Sequence, residues 1–83
     1  MQLRGEVKDY DGKPIEGALI VNKRYGQLVN ETQTDSKGNF LLHQMRLNDT
    51  IMVTAPNFRT DTTVYDVPLV KHPELIFWLK HKG

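Results

Sequence analysis

Two acidic turns, at residues 9–12 and 35–39, carry the oxygen-rich clusters that a metal ion would need. A calcium-binding loop of the helix–loop–helix type also requires a glutamate at its twelfth position. That position is Ile20 when counted from the first turn and Arg46 when counted from the second. We therefore expect the carboxylates to bond to the main chain of their own turns, and we predict that no metal-binding residues are present.

The remaining residue types with catalytic potential lack suitable neighbours in the sequence. His43, His72 and His81 do not have the spacing of a zinc site, and the chain contains no cysteine. The single serine, Ser36, lies in a turn and not in a Gly-x-Ser-x-Gly elbow. These observations predict no catalytic residues, no cofactor and no enzymatic activity.

The last apolar segment, residues 75–79, is predicted to be a strand with one side in the core and the other side available as an interaction surface. Successive residues of a strand face opposite sides of a sheet, so Phe77 is predicted to be buried while Ile76 and Trp78 point away from the core. That outward pair is either covered by an adjoining loop or by the rest of a parent protein, or it forms a binding patch. We favour the covered arrangement.

A second candidate surface is the polar, β-prone segment at residues 28–34. Its composition is typical of an edge strand, and its candidate interaction residues are Leu28, Asn30 and Thr32. An edge strand has free main-chain groups that can accept an added strand.

Length and composition restrict the class of protein. The 83 residues suffice for one domain, which we assign to residues 1–83. The net charge of +1 comes from interspersed acids and bases, which argues against binding to nucleic acid. The apolar runs are far shorter than the ~20 residues that a membrane-spanning helix requires, and no signal peptide is recognisable.

Alternating apolar and polar residues, interrupted by turn signals every 8–12 residues, predict an all-β domain. Asp-Gly and Asp-x-x-Gly turns predict positive φ angles at Gly12 and Gly38. The apolar run at residues 18–21 indicates a strand that is buried on both sides or lies near the middle of a sheet. The inward faces of the strands predict a core formed by Leu3, Val7, Ile15, Ala18, Ile20, Phe40, Leu42, Ile51, Val53, Phe77 and Leu79.

Two stretches carry a family resemblance. The first is a Gly-x-Val strand followed by an Asp-x-x-Gly-x-Pro-Ile-x-Gly-Ala turn, and the second is a Thr-Asp-x-x-Gly-x-Phe hairpin. The matching positions are Gly5, Val7, Asp9, Gly12, Pro14, Ile15, Gly17, Ala18, Thr34, Asp35, Gly38 and Phe40. Together they resemble the carboxypeptidase regulatory-like domain, a transthyretin-like or prealbumin-like sandwich. The chain departs from the family pattern at Asn22, where an apolar residue is common, and at Asn57-Phe58, where Gly-Tyr is usual.

The resemblance implies a seven-stranded, mostly antiparallel Greek-key β-sandwich, excised from a longer protein. It further implies a non-catalytic structural or accessory module that acts in docking, spacing or stabilisation of an extracytoplasmic, cell-surface or outer-membrane-associated bacterial protein. Such a module would be periplasmic or extracellular, and its partners would be the other domains of the parent. An alternative is a module that binds carbohydrate or peptide through the edge strand or the Trp78 face.

Overall fold

A computed structural model describes residues 2–66 and 74–83, and this part of the chain contains seven β-strands and no helix. The short strands follow the alternating patterns of the sequence, and glycine or asparagine residues with positive φ separate many of them. The strands are β1 (Leu3–Asp9), β2 (Leu19–Arg24), β3 (Gln27–Gln33), β4 (Asn39–Leu42), β5 (Thr50–Thr54), β6 (Asp61–Val64) and β7 (Glu74–Leu79).

The strands form two sheets. One has the order β4-β1-β7 and the other has the order β3-β2-β5-β6. Neighbouring strands are antiparallel except for β1 and β7, which are parallel, so the three-stranded sheet is mixed. The all-β architecture with seven strands in two sheets is confirmed. The predicted edge strand is also confirmed, since β3 lies at the edge of the four-stranded sheet, and β2 is an interior strand as its apolar run indicated.

The core lies between the two sheets and consists of side chains from both. All predicted core residues except Ile15 belong to one buried cluster, and Ile15 is partly buried against it. Met45, Ala55 and Tyr65 complete this cluster from positions outside the strands. Met45 and Tyr65 lie in loops, where alternation along a strand gives no information, whereas Ala55 continues the alternation of Ile51 and Val53 one residue beyond β5.

Turn geometry agrees with the glycine pattern. Gly12 and Gly38 have φ angles of 83° and 78°, as predicted. The β2–β3 hairpin is closed by a two-residue turn in which Tyr25 and Gly26 have φ angles of 52° and 76°. Two successive positive φ angles define the type I′ turn, which matches the twist of the adjoining strands.

Asn22 is fully buried on the inner side of β2, at the position where the family pattern is usually apolar. Neither of its side-chain polar atoms makes a hydrogen bond of normal geometry, although its amide lies close enough to lower the pKa of Asp49. A buried amide of this kind costs free energy unless a polar neighbour compensates for it.

Candidate functional site

The acidic turns use their carboxylates to hold the main chain, as expected from their sequence. Asp9 Oδ1 accepts hydrogen bonds from the backbone N–H groups of Asp11 and Lys13, each at 2.9 Å. Asp35 Oδ1 accepts two equivalent bonds, from Lys37 and Asn39, also at 2.9 Å. The N–H group of Lys13 is the largest cause that lowers the pKa of Asp9, because hydrogen bonds to a carboxylate favour its charged form.

The two described histidines lie in unrelated surroundings. His43 Nδ1 is 3.3 Å from the side-chain amide of Gln2. His81 stacks on Phe58 with ring centroids 4.2 Å apart, and its Nε2 is 3.8 Å from Asp9 Oδ2. His72 lies outside the described residues. Within residues 2–66 and 74–83, no group of three or more histidine, cysteine or acidic side chains is arranged to hold a metal ion.

An ion pair that the sequence analysis missed joins Arg24, at the end of β2, to Asp49, in the loop before β5. The guanidinium donates two hydrogen bonds of 2.8 Å to the two carboxylate oxygens and a third, of 3.1 Å, to the carbonyl of Gln44. Asp49 is 1 % exposed and also accepts a bond from the Arg46 N–H. Because 25 residues separate the partners, local sequence patterns contain no signal for this pair.

The Arg24 guanidinium is the largest cause that lowers the pKa of Asp49. A shielded bidentate pair of this type favours the charged carboxylate strongly, whereas burial alone would raise its pKa. Arg24 ends strand β2, and its partners Gln44 and Asp49, together with Arg46, belong to the connection between β4 and β5. We therefore infer that the ion pair stabilises the connection between β4 and β5 against β2 and is not a reactive centre.

Ile76 and Trp78 lie on the outer face of the three-stranded sheet, and Phe77 between them is buried, as the alternation predicted. Ile76 is 44 % exposed and Trp78 is 48 % exposed. Lys8 Nζ lies 5.6 Å from the centroid of the Trp78 ring and 3.3 Å from Glu6 Oε2. We refer to Ile76 and Trp78 as the β7 face. A depression of ≈ 490 Å³ adjoins it, lined by Arg4, Gly5, Glu6, Asn39, Phe40, Leu75 and Ile76.

The predicted edge-strand residues lie on the other sheet, so the structure does not bring the two candidate surfaces together. Leu28 is 58 % exposed, whereas Asn30 and Thr32 are half-buried. The side-chain amide of Asn30 donates to the carbonyl of His43, which follows β4. Beyond its pairing with β2, β3 receives no backbone hydrogen bond from another described strand or loop.

Comparison with known proteins identifies a family. The family model described as carboxypeptidase regulatory-like domain matches residues 2–79 of the chain. No curated protein matches the chain. Among the residues described, no helix is both long and apolar enough to cross a membrane.

Proposed function

The chain belongs to the carboxypeptidase regulatory-like domain family, and on that basis we propose that it is a non-catalytic module that docks against other domains of a larger extracytoplasmic protein. The family consists of regulatory or accessory β-sandwich domains. A parent protein in the periplasm or at the cell surface is the setting that the family resemblance implies.

The observation that carries the docking role is the exposure of the β7 face. Strand β7 is apolar on both of its sides, although only one of them faces the core. A tryptophan and an isoleucine exposed side by side bury substantial apolar area when a partner covers them. Lys8 beside Trp78 adds a cation at the rim, which helps to set the orientation of the partner.

Hydrogen–deuterium exchange tests this function. The exchange of β7 is compared between the isolated chain and the full-length parent protein, each as wild type and as Trp78→Glu. We expect β7 to exchange more slowly in the parent, because the docked partner excludes water and suppresses local opening. Trp78→Glu should abolish that additional protection while the isolated domain remains folded, since half of the side chain is already exposed.

Tyr25→Glu is the matched control, because Tyr25 is also an exposed aromatic residue but lies at the tip of the β2–β3 hairpin. This variant should leave the protection of β7 unchanged. Equal exchange of β7 in the isolated chain and in the parent would reject the docking role. Unfolding of the isolated Trp78→Glu domain would instead show that Trp78 belongs to the core.

A second candidate function is peptide binding by strand addition to β3. It is favoured by the length of this edge, seven residues, and by its unpaired outer side in the described structure. Titration of the isotopically labelled chain with the remaining domains of the parent distinguishes the two functions. Amide shifts concentrated in Gln27–Gln33 support strand addition, whereas shifts concentrated in Glu74–Leu79 support docking through the β7 face.

A further inference from the structure

The outer face of the four-stranded sheet is apolar at its centre, which is unusual for a sheet that faces water. Leu19 and Val21 flank the core residue Ile20 on β2, and Met52 lies between two core residues on β5. Val21 is only 8 % exposed although it is not part of the core cluster. Polar residues would occupy these positions in an antiparallel sheet with one solvated face. We call this surface the B face.

The register of the strands arranges the B face in rows. Lys23 lies opposite Leu28 on β3 and Thr50 on β5. In the next row Val21 lies between Glu31 and Met52, and in the third row Leu19 lies between Gln33 and Thr54. The register shift between Asn22 and Lys23 accommodates the extra residue of β3 and keeps Leu28 and Glu31 on the same face.

We propose that the B face binds a second copy of this chain, forming a symmetric dimer in which the two four-stranded sheets pack face to face. When a two-fold axis lies in the plane of the interface, it reflects the pattern of one face across the axis. Each residue of one copy then faces the residue of the partner that occupies the mirror-image position on the other side of the axis. The axis that fits the B face runs diagonally from Leu28 to Val21. Leu28, which is 58 % exposed, then meets its own copy across the dimer, while Val21 lies on the axis but is already almost fully covered within each chain.

The charges on the B face are complementary about this axis. Lys23 and Glu31 occupy mirror positions on its two sides, so Lys23 of each copy faces Glu31 of the other. Neither side chain forms an ion pair with another described residue. The symmetry generates the contact twice, and both contacts lie beside an apolar centre where screening by solvent is reduced.

The uncharged residues are complementary about the same axis. Leu19 and Met52 occupy mirror positions, so apolar side chains face each other on both sides of Val21. The spacing between strands, about 4.8 Å, and the spacing between alternate residues of a strand, about 6.8 Å, differ by about 2 Å, an offset that long side chains such as Lys23, Glu31 and Met52 can span. The two sheets would cross steeply, as in orthogonal packing.

The outer face of the three-stranded sheet does not have this self-complementarity. Its central strand β1 carries Arg4, Glu6 and Lys8 in succession. A two-fold axis crossing β1 at Glu6 would place Arg4 opposite Lys8 of the partner and Glu6 opposite its own copy. Like charges would meet in both cases, so the β7 face suits a different partner and the B face suits a second copy.

Sedimentation analysis over a concentration series from about 10 μM to about 1 mM tests the proposal. This range is chosen because an interface formed by one face of a single small sheet is expected to be weak. The wild-type chain should dimerise reversibly within this range. Lys23→Glu and Glu31→Lys should each weaken dimerisation by at least about tenfold, because each variant places two pairs of like charges in contact. The double variant should restore dimerisation, because it exchanges the two members of each pair.

Lys82→Glu is the matched control for Lys23→Glu, since it makes the same change of net charge at an exposed residue outside the B face. It should leave dimerisation unchanged, and so should Trp78→Glu, which separates this proposal from docking through the β7 face. Leu28→Asp should prevent dimerisation without unfolding the exposed β3 edge. A chain that stays monomeric at about 1 mM, or single-variant losses that the double variant does not restore, would overturn the proposal.

Discussion

Gly38 and Gly12 have nearly the same backbone conformation but very different surroundings. A Cβ atom added at Gly38 would lie 2.6 Å from the carbonyl oxygen of Val7 and 3.0 Å from Pro14 Cβ, whereas one added at Gly12 would have no neighbour within 4 Å. We expect Gly12→Val to cost about 1–2 kcal/mol through φ strain alone. Gly38→Val should cost about 2 kcal/mol more, because the main chain of β1 must also move.

Chemical denaturation of both variants measures this difference. Because the φ angles are matched, the Gly12 variant controls for backbone strain and isolates the steric contact. Equal free energies of unfolding for the two variants would contradict the assignment of Gly38 to a close approach between the turn and β1.

The Arg24–Asp49 pair predicts a dependence of stability on pH. The pKa of Asp49 in the folded protein lies below its ordinary value, so its contribution to stability is present above the ordinary pKa and is lost as the pH falls through the lower folded pKa. Arg24→Met leaves the buried carboxylate unpaired and should cost about 3 kcal/mol at pH 7. In this variant the pKa of Asp49 should rise above its ordinary value, so the cost should shrink as the pH is lowered and Asp49 becomes protonated.

Denaturant titrations of the wild type and Arg24→Met between pH 7 and pH 3 check this expectation. Arg59→Met serves as control, because Arg59 is exposed and forms no ion pair with the described residues. A constant difference between wild type and Arg24→Met across this range would show that the pair does not control the ionisation of Asp49.

At the scale of an element, the β2–β3 hairpin contains a residue that its turn disfavours. Tyr25 has a φ of 52° and is 100 % exposed, so no packing compensates for its left-handed backbone. Asparagine tolerates this conformation better and is preferred in type I′ turns. Tyr25→Asn should therefore stabilise the domain by about 0.5–1 kcal/mol, which corresponds to a rise in melting temperature of about 3–6 °C for a domain of this size.

A thermal melt followed by circular dichroism measures the effect. Tyr10→Asn removes an exposed tyrosine whose φ is not positive, and it should change the melting temperature little. A lower melting temperature for Tyr25→Asn would show that the ring makes a stabilising contact in solution.

Packing on the inner face of the three-stranded sheet depends on the side chain of Phe40. Phe40 lies opposite Gly5, and its ring occupies the space beside that glycine, since an added Cβ would be 2.5 Å from the Phe40 Cζ. The ring also contacts Phe77, with centroids 6.2 Å apart. Phe40→Ala should cost about 3–5 kcal/mol, close to the whole stability of a small domain. Leu41→Ala, on the outer face of the same strand, should cost much less, and similar denaturation midpoints for the two variants would refute this.

For the molecule as a whole, the carboxylates bound within turns and the unrelated surroundings of His43 and His81 predict weak metal binding. Calorimetric titration of the isolated domain with Ca²⁺ and Zn²⁺ should give no micromolar binding. Asp9 and Asp35 each use one carboxylate oxygen for main-chain N–H groups, which would have to be released before that oxygen could bind a cation. Micromolar affinity for either ion would contradict the structural role of these turns.

Sequence patterns predicted those parts of the molecule that short-range physics determines. Alternation located the strands and placed Phe77 and Trp78 on opposite faces. The Asp-x-x-Gly turn pattern predicted the positive φ angle of Gly38. Contacts between distant segments could not be predicted, because they depend on strand register. Examples are the Arg24–Asp49 ion pair and the contacts of Leu28 with its neighbours on the B face. Met45 and Tyr65 are buried from loops, where alternation gives no information.

The parallel pairing of β1 with β7 determines how the domain would respond to tension in a longer chain. These are the first and last strands, and because they run in the same direction, the chain enters at one end of the ladder and leaves at the other. Pulling on both termini would slide the two strands past each other, so the hydrogen bonds of the ladder would share the load instead of opening one at a time. Between two flanking segments, a domain with this arrangement would resist mechanical unfolding and would transmit force without lengthening.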